Sequence, residues 1–296
     1  MSTAASSLMT RPRVGPADVV RRLSDRFLLF VYTGLAIIYL LLPIAIIILF
    51  SFNKPICRRN FVWQHFSLDA WLNPFGVPGI ASAVELSLLI AFVSTLVATI
   101  LGTLMALALV RYEFRGKRLT NSLIFLPMAT PEIVMGASLL TLFVSIGRPP
   151  FFPLGLFTIL VAHILFNVSF VVVTVRARLV GFPRHLEEAA MDLGANEWQT
   201  FWRVTFPLIL PGIVAAALLA FSLSIDDFVI TNFSAGRTQT FPMFIYAQAK
   251  VGVPVQVYVI GSIIFLVAVL LVGLTTLAGL RRQPTRDLAL IRAVDK

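Results

Sequence analysis

Four ionisable residues lie inside long apolar runs of this 296-residue chain: Glu132, His163, Asp226 and Asp227. A charged side chain at the centre of a membrane span costs about 2.5–3.5 kcal/mol on insertion scales, so such groups generally serve a pathway or a partner. The runs that hold them contain no Lys or Arg. Unpaired carboxylates can replace the water around an ammonium group. An anion site would instead need N–H donors or helix N-termini. The chemistry therefore points to a cation, with Asp226, Asp227 and Glu132 as its contacts and Ser224 close by. Trp63, outside the runs, could stack on or cover a cation, although a packing role accounts for it equally well. His163 reads first as a hydrogen-bonded core histidine, and Glu85 as a solvated residue near the end of its run.

The elements that position these groups follow from composition. Apolar residues make up 58% of the chain and charged residues 13%, with a mean hydropathy of +0.91. Soluble domains are about 45–50% apolar and about 25% charged, so the balance describes an all-α integral membrane protein. Six runs reach the roughly 20 residues that a spanning helix needs: Phe27–Phe52, Ile80–Val110, Leu119–Ile146, Phe152–Val175, Pro211–Asn232 and Val255–Leu280. The first follows a basic tail, as in a signal peptide, but is too long for a signal core and reads as an uncleaved anchor. Residues 1–26 and 281–296 read as tails around a six-helix domain over 27–280.

Of the 24 Lys and Arg residues, 18 fall in the tails and in the segments 111–118 and 176–206. Short basic segments stay cytoplasmic, which places both termini inside. The net charge of +10 is thereby explained without a nucleic-acid partner. Cys57 is the only cysteine, so no intrachain disulfide forms. No loop is large enough for a nucleotide-binding domain, and no phosphate-binding loop motif occurs. Neither H-E-x-x-H nor an intramembrane aspartyl protease motif is present, which argues against an enzyme. A secondary transporter would be expected to show internal repeats, and none is evident.

Depth can be counted at about 1.5 Å per residue. Glu132 then lies about 20 Å and Asp226 about 22 Å from the cytoplasmic ends of their spans, and His163 about 16 Å from the outer end of its own. All three fall near one level. Pro127 and Pro131 predict a kinked third span, with Pro131-Glu132 as a site wall. On a continuous helix Asp226 and Asp227 point about 100° apart. One is expected to face a passage, and the other a partner or a bonded Ser or Thr such as Ser222 or Ser224.

Residues 181–211 form a structured cytoplasmic segment. Pro183 opens a short helix with an apolar stripe of Leu186, Ala189, Ala190 and Leu193, and Gly194 stops it. Asn196 and Gln199 read as the cap of a second short helix, whose apolar face is Trp198, Phe201 and Trp202. Pro207 and Pro211 are expected to separate it from the fifth span. Glu187, Glu188 and Asp192 make the first helix acidic. Anionic lipid would repel that face, so a protein partner fits it better.

Glu188-Ala189-Ala190 with Gly194 four residues on resembles the EAA loop of binding-protein-dependent ABC permeases. Ser51-Phe52-Asn53, Arg111–Arg118, Pro131–Gly136 and Leu219–Phe233 are similar to the PotC-like permeases of the spermidine/putrescine branch. The resemblance implies a type I ABC importer permease (MetI-like) fold in a bacterial inner membrane. It implies coupling to an ATPase through Glu188, Ala189, Ala190, Gly194 and Glu197. The implied partners are a second permease (PotB-like), an ATPase pair (PotA-like) that binds ATP and magnesium, and an extracytoplasmic binding protein (PotD-like). This chain would then hold no cofactor or metal. The implied cargo is a polyamine; another small solute, such as an amino acid derivative, an opine or another amine, fits the same architecture.

Overall fold

A computed structural model describes residues 16–56, 60–146, 153–181 and 183–281; Cys57 is outside them. Twelve α-helices and one π-helical turn occur among the described residues, with a single isolated β-bridge between Asn53 and Phe66. The chain divides into two compact units, Phe75–Val253 and the flanking remainder.

The flanking unit contains α1 (Pro16–Phe50), the short α2 (Asp69–Leu72) and α12 (Val255–Arg281). The Ser51-Phe52-Asn53 triplet organises the loop that follows α1. Ser51 is buried and accepts a hydrogen bond from the Trp71 indole N–H at 3.2 Å. Phe52 stacks against both Phe66 and Trp71. The Asn53 amide donates to Asn60 and to the Val62 carbonyl, and its oxygen accepts from the Gln64 N–H. Each residue of the triplet thus ties down a different part of the loop. On the surface, the hydrogen bond from the Lys54 ammonium holds the Asp69 carboxyl below its usual range, helped by Ser67.

The central unit is built on α3 (Ile80–Arg111), α6 (Leu156–Val180) and α9 (Phe206–Ile225). Their contacts use small and β-branched residues, including Ala98, Ala106, Val171, Val175, Ala216 and Ala220. Between membrane helices the hydrophobic effect gives little drive, so close van der Waals approach does the work. Gly102 shows this: a Cβ there would fall 2.6 Å from Val171 Cγ1.

Among the described residues four helices are long and apolar enough to cross a membrane, and a bent pair makes a fifth. That pair is α4 (Lys117–Ala129) and α5 (Glu132–Ile146), bent by 109°. A kinked single helix was expected here, and the structure has two helices. Pro131 supplies no N–H and pushes Thr130 out of the helical region; Thr130 sits at ψ 131°. Pro127, by contrast, stays inside α4.

The fifth span also departs from expectation at both ends. The second short helix of the 181–211 segment, α8 (Glu197–Thr200), runs through a π-helical turn (Phe201–Thr205) into α9 without a break. Pro207 and Pro211 therefore do not separate it from the span. The wide turn lies just where the Pro207 ring would otherwise meet the carbonyl four residues back. At the other end α9 stops at Ile225, and a new helix, α10 (Val229–Ser234), begins after Asp226, Asp227 and Phe228.

Candidate functional site

The break in the fifth span gives the two aspartates different surroundings. Asp226 ends α9 and is exposed. The Asp227 side chain is only 7% exposed. Its carboxylate caps α10, accepting the backbone N–H groups of Ile230 at 3.3 Å and Thr231 at 2.7 Å, and the Thr231 hydroxyl at 2.7 Å. A capping carboxylate satisfies donors that a helix start leaves free. The two aspartates differ in exposure and in bonding. This difference arises from a helix break rather than from a 100° rotation, and the hydroxyl partner of Asp227 is Thr231 rather than Ser222 or Ser224.

Behind Asp227 lies a buried polar chain. His163, 3% exposed on α6, places Nε2 at 2.9 Å from Thr231 Oγ1 and 3.4 Å from Asp227 Oδ2. Its Nδ1 is 2.7 Å from Ser224 Oγ, which is 2.9 Å from Ser94 Oγ on α3. The Thr231 hydroxyl gives its single proton to Asp227, so its oxygen accepts from His163 Nε2–H. In the neutral ring Nδ1 is then an acceptor for Ser224. Ser224 is thereby committed to the core and not to an open surface.

Glu132 is exposed at the first turn of α5, where the helix dipole favours an acid. Met135, Leu139 and Phe143 of α5 pack with Ile230 of α10 and Phe166 of α6, so both broken spans join one cluster. Glu85 is exposed on α3. Trp63 belongs to the flanking unit, edge-on to Phe50.

The segment 181–211 contains α7 (His185–Asp192) followed by a glycine turn. The helix starts two residues after Pro183. Gly194 has φ +90°, its N–H donates to Met191 O, and the Ala195 N–H donates to Ala190 O. Those two bonds form a Schellman stop. The Asn196 side chain accepts from the Gln199 N–H, and the Gln199 side chain returns a bond to the Asn196 N–H. Glu188, Ala189, Gly194 and Glu197 are exposed, and Ala190 is half-buried.

Sequence reasoning passed over Glu187. Its side chain is 12% exposed, ion-pairs with Arg111 at the end of α3, and accepts the Thr205 hydroxyl of the π turn. Arg184 adds a bond to the Val110 carbonyl at 3.4 Å. The segment is thus clamped to the ends of two core helices. Nothing local marks this, because the partners lie 76 and 18 residues away. An acid one position before the motif was the only available signal.

Residues 98–283 match the family described as binding-protein-dependent transport system inner membrane component. The chain belongs to this family. The matched residues span all of the clamped cytoplasmic segment and both broken spans. The permease is 37% identical over 256 residues to the spermidine/putrescine transport system permease protein PotC of Haemophilus influenzae, covering 86% of this chain and 95% of that one. It is 36% identical over 257 residues to the putrescine transport system permease protein PotI of Escherichia coli, covering 84% and 90%. Among solved structures, a bacterial ABC transporter involved in alginate import aligns at TM-score 0.64 and 17% identity, covering 90% of this chain and 99% of that one. This likeness shows the fold, that of a type I ABC importer permease. The permease is a multi-pass inner-membrane transport subunit.

Proposed function

We propose that the permease forms, with a second permease, the passage for a cationic polyamine of the spermidine/putrescine kind. The observation that carries this is the exposed Asp226 at an unwound point of a span, with Glu132 at the other broken span and no Lys or Arg in either stretch. Irregular backbone at membrane depth is tolerated where it lines a cavity or is covered by protein. The names of the relatives point the same way. Both termini face the cytoplasm, and a binding protein delivers the substrate from outside.

The ATPase is a separate chain pair, which holds the nucleotide and its magnesium. It docks on the exposed face of α7 and the glycine turn, through Glu188, Ala189, Gly194 and Glu197. Movement of α7 then reaches α9 through the unbroken α8–π–α9 connection, and α3 through the Arg111–Glu187 pair. The Asp226 carboxylate receives an ammonium group as it leaves its water.

The test is competition for uptake by the purified importer in vesicles, with spermidine, putrescine, a basic amino acid and sulfate as competitors. Inhibition by the two polyamines alone is expected. Competition by the amino acid or sulfate, with none by either polyamine, rejects the cargo assignment.

A further inference from the structure

The cargo reading uses Asp226 and leaves His163 without a role, although both ring nitrogens of this buried side chain are hydrogen-bonded. Its ring sits on α6 and touches both sides of the break in the fifth span. Nδ1 is held by Ser224, in the last turn of α9, and Nε2 by Thr231, in the first turn of α10. Residues 226–228 are strung between those two points. The two nitrogens of a planar ring have a fixed separation and direction, so the ring sets where the two helix ends lie. Ser94 extends the hold to α3. A helix break has no ladder of its own to fix its angle, and side-chain bonds must supply that restraint.

We infer that His163 is the positioning residue that fixes this break and so sets the direction in which Asp226 is presented. This rests on the reading of Asp226 as the ammonium contact. The imidazole touches no substrate. It acts by holding Ser224 and Thr231 at set positions and, through the Thr231 hydroxyl that donates to Asp227, by steadying the Asp227 cap, which keeps that carboxylate out of the passage. The site then offers one carboxylate at this span, not two.

The experiment uses the whole importer, reconstituted in vesicles with its binding protein and ATPase, and labelled spermidine. His163→Asn places an amide near Nδ1 and can keep the Ser224 bond. His163→Gln places one near Nε2 and can keep the Thr231 bond. Each retains one side of the hold, so both complexes are expected to assemble. Both should raise the KM of uptake about tenfold, the effect of losing roughly one hydrogen bond's worth of orientation, with Vmax and ATPase co-purification within about twofold. Asp226→Asn should lose uptake in the wild-type background and add little in either His163 variant, since coupled residues are non-additive.

Wild-type kinetics in both His163 variants overturn the inference, and the Asp226 reading survives if Asp226→Asn still loses uptake. Multiplicative losses in the double variants also overturn it, because independent sites add in free energy. Failure of both His163 variants to assemble would leave the residue a structural one and overturn the inference. Wild-type uptake by Asp226→Asn overturns the inference and the Asp226 reading together.

Discussion

At the scale of single residues, adjacent identical side chains do different work because the backbone changes between them. Asp226→Asn removes charge from an exposed group. Coulomb attraction at 4 Å is about 4 kcal/mol at an effective dielectric of 20, and desolvation offsets part of it. A tenfold to hundredfold loss of uptake is expected, about 1.4–2.8 kcal/mol, with assembly and binding-protein affinity unchanged. Asp227→Ala removes a cap instead, at a cost of about 0.5–2 kcal/mol. It should lower the thermal stability of the purified complex, read as loss of monodisperse protein on heating. Equal stability of the two variants would remove the distinction between them. Glu132→Gln should fall between wild type and Asp226→Asn in uptake, since the fifth span is the one joined directly to the docking segment. This division of roles was partly legible. Hydropathy and depth counting singled out all four groups. The sequence also allowed a bonded Ser or Thr for one aspartate. The choice between them depended on where α9 stops, and an Ile-Asp-Asp-Phe stretch carries no proline or glycine to mark a stop.

At the scale of elements, the docking segment separates a turn that can be read locally from a clamp that cannot. Gly194 was legible as a helix stop because positive φ is cheap only for glycine. No heavy atom lies within 4 Å of where its Cβ would be, so a substitution there costs backbone strain alone, about 1–2 kcal/mol for an ordinary residue. Gly194→Val should weaken ATPase co-purification, whereas Gly194→Asn, which tolerates the left-handed region, should retain most of it. Equal behaviour of the two would show that the turn geometry is not what the partner reads. The Arg111–Glu187–Thr205 clamp was illegible because it joins distant segments. Glu187→Ala leaves a half-exposed Arg111 without its partner, at roughly 1–3 kcal/mol. The variant should keep its bound ATPase and lose substrate-stimulated hydrolysis, because the proposed docking face is the opposite, exposed one. Loss of the ATPase itself would place Glu187 on the docking surface. The broken third span teaches the same lesson in reverse. Pro131 was read as a kink, and it became a 109° bend because Thr130 before it was forced extended as well.

At the scale of the whole molecule, apolar surface and charge have to be accommodated together. Phe30, Tyr39 and Leu40 on α1 are among many large side chains left exposed, a face that only lipid or another membrane helix can cover. The basic residues then orient the chain, since 18 of 24 fall in the tails and in alternate loops. On that pattern the loop after α1 is expected outside and the glycine turn inside. Lys54 in the loop has a side chain 66% exposed, and Leu193 beside the turn is 91% exposed. In a Cys57→Ser background, Lys54→Cys should react with an impermeant thiol reagent added outside spheroplasts. Leu193→Cys should react only in inverted vesicles, and less once the ATPase is bound. The loss of reactivity on ATPase binding is the stronger half of the test, because it joins topology to docking. Labelling of Leu193→Cys from outside would invert the chain. The exposed carboxylates of α7 would then meet the binding protein, and the clamp to α3 and α9 could not carry force from an ATPase.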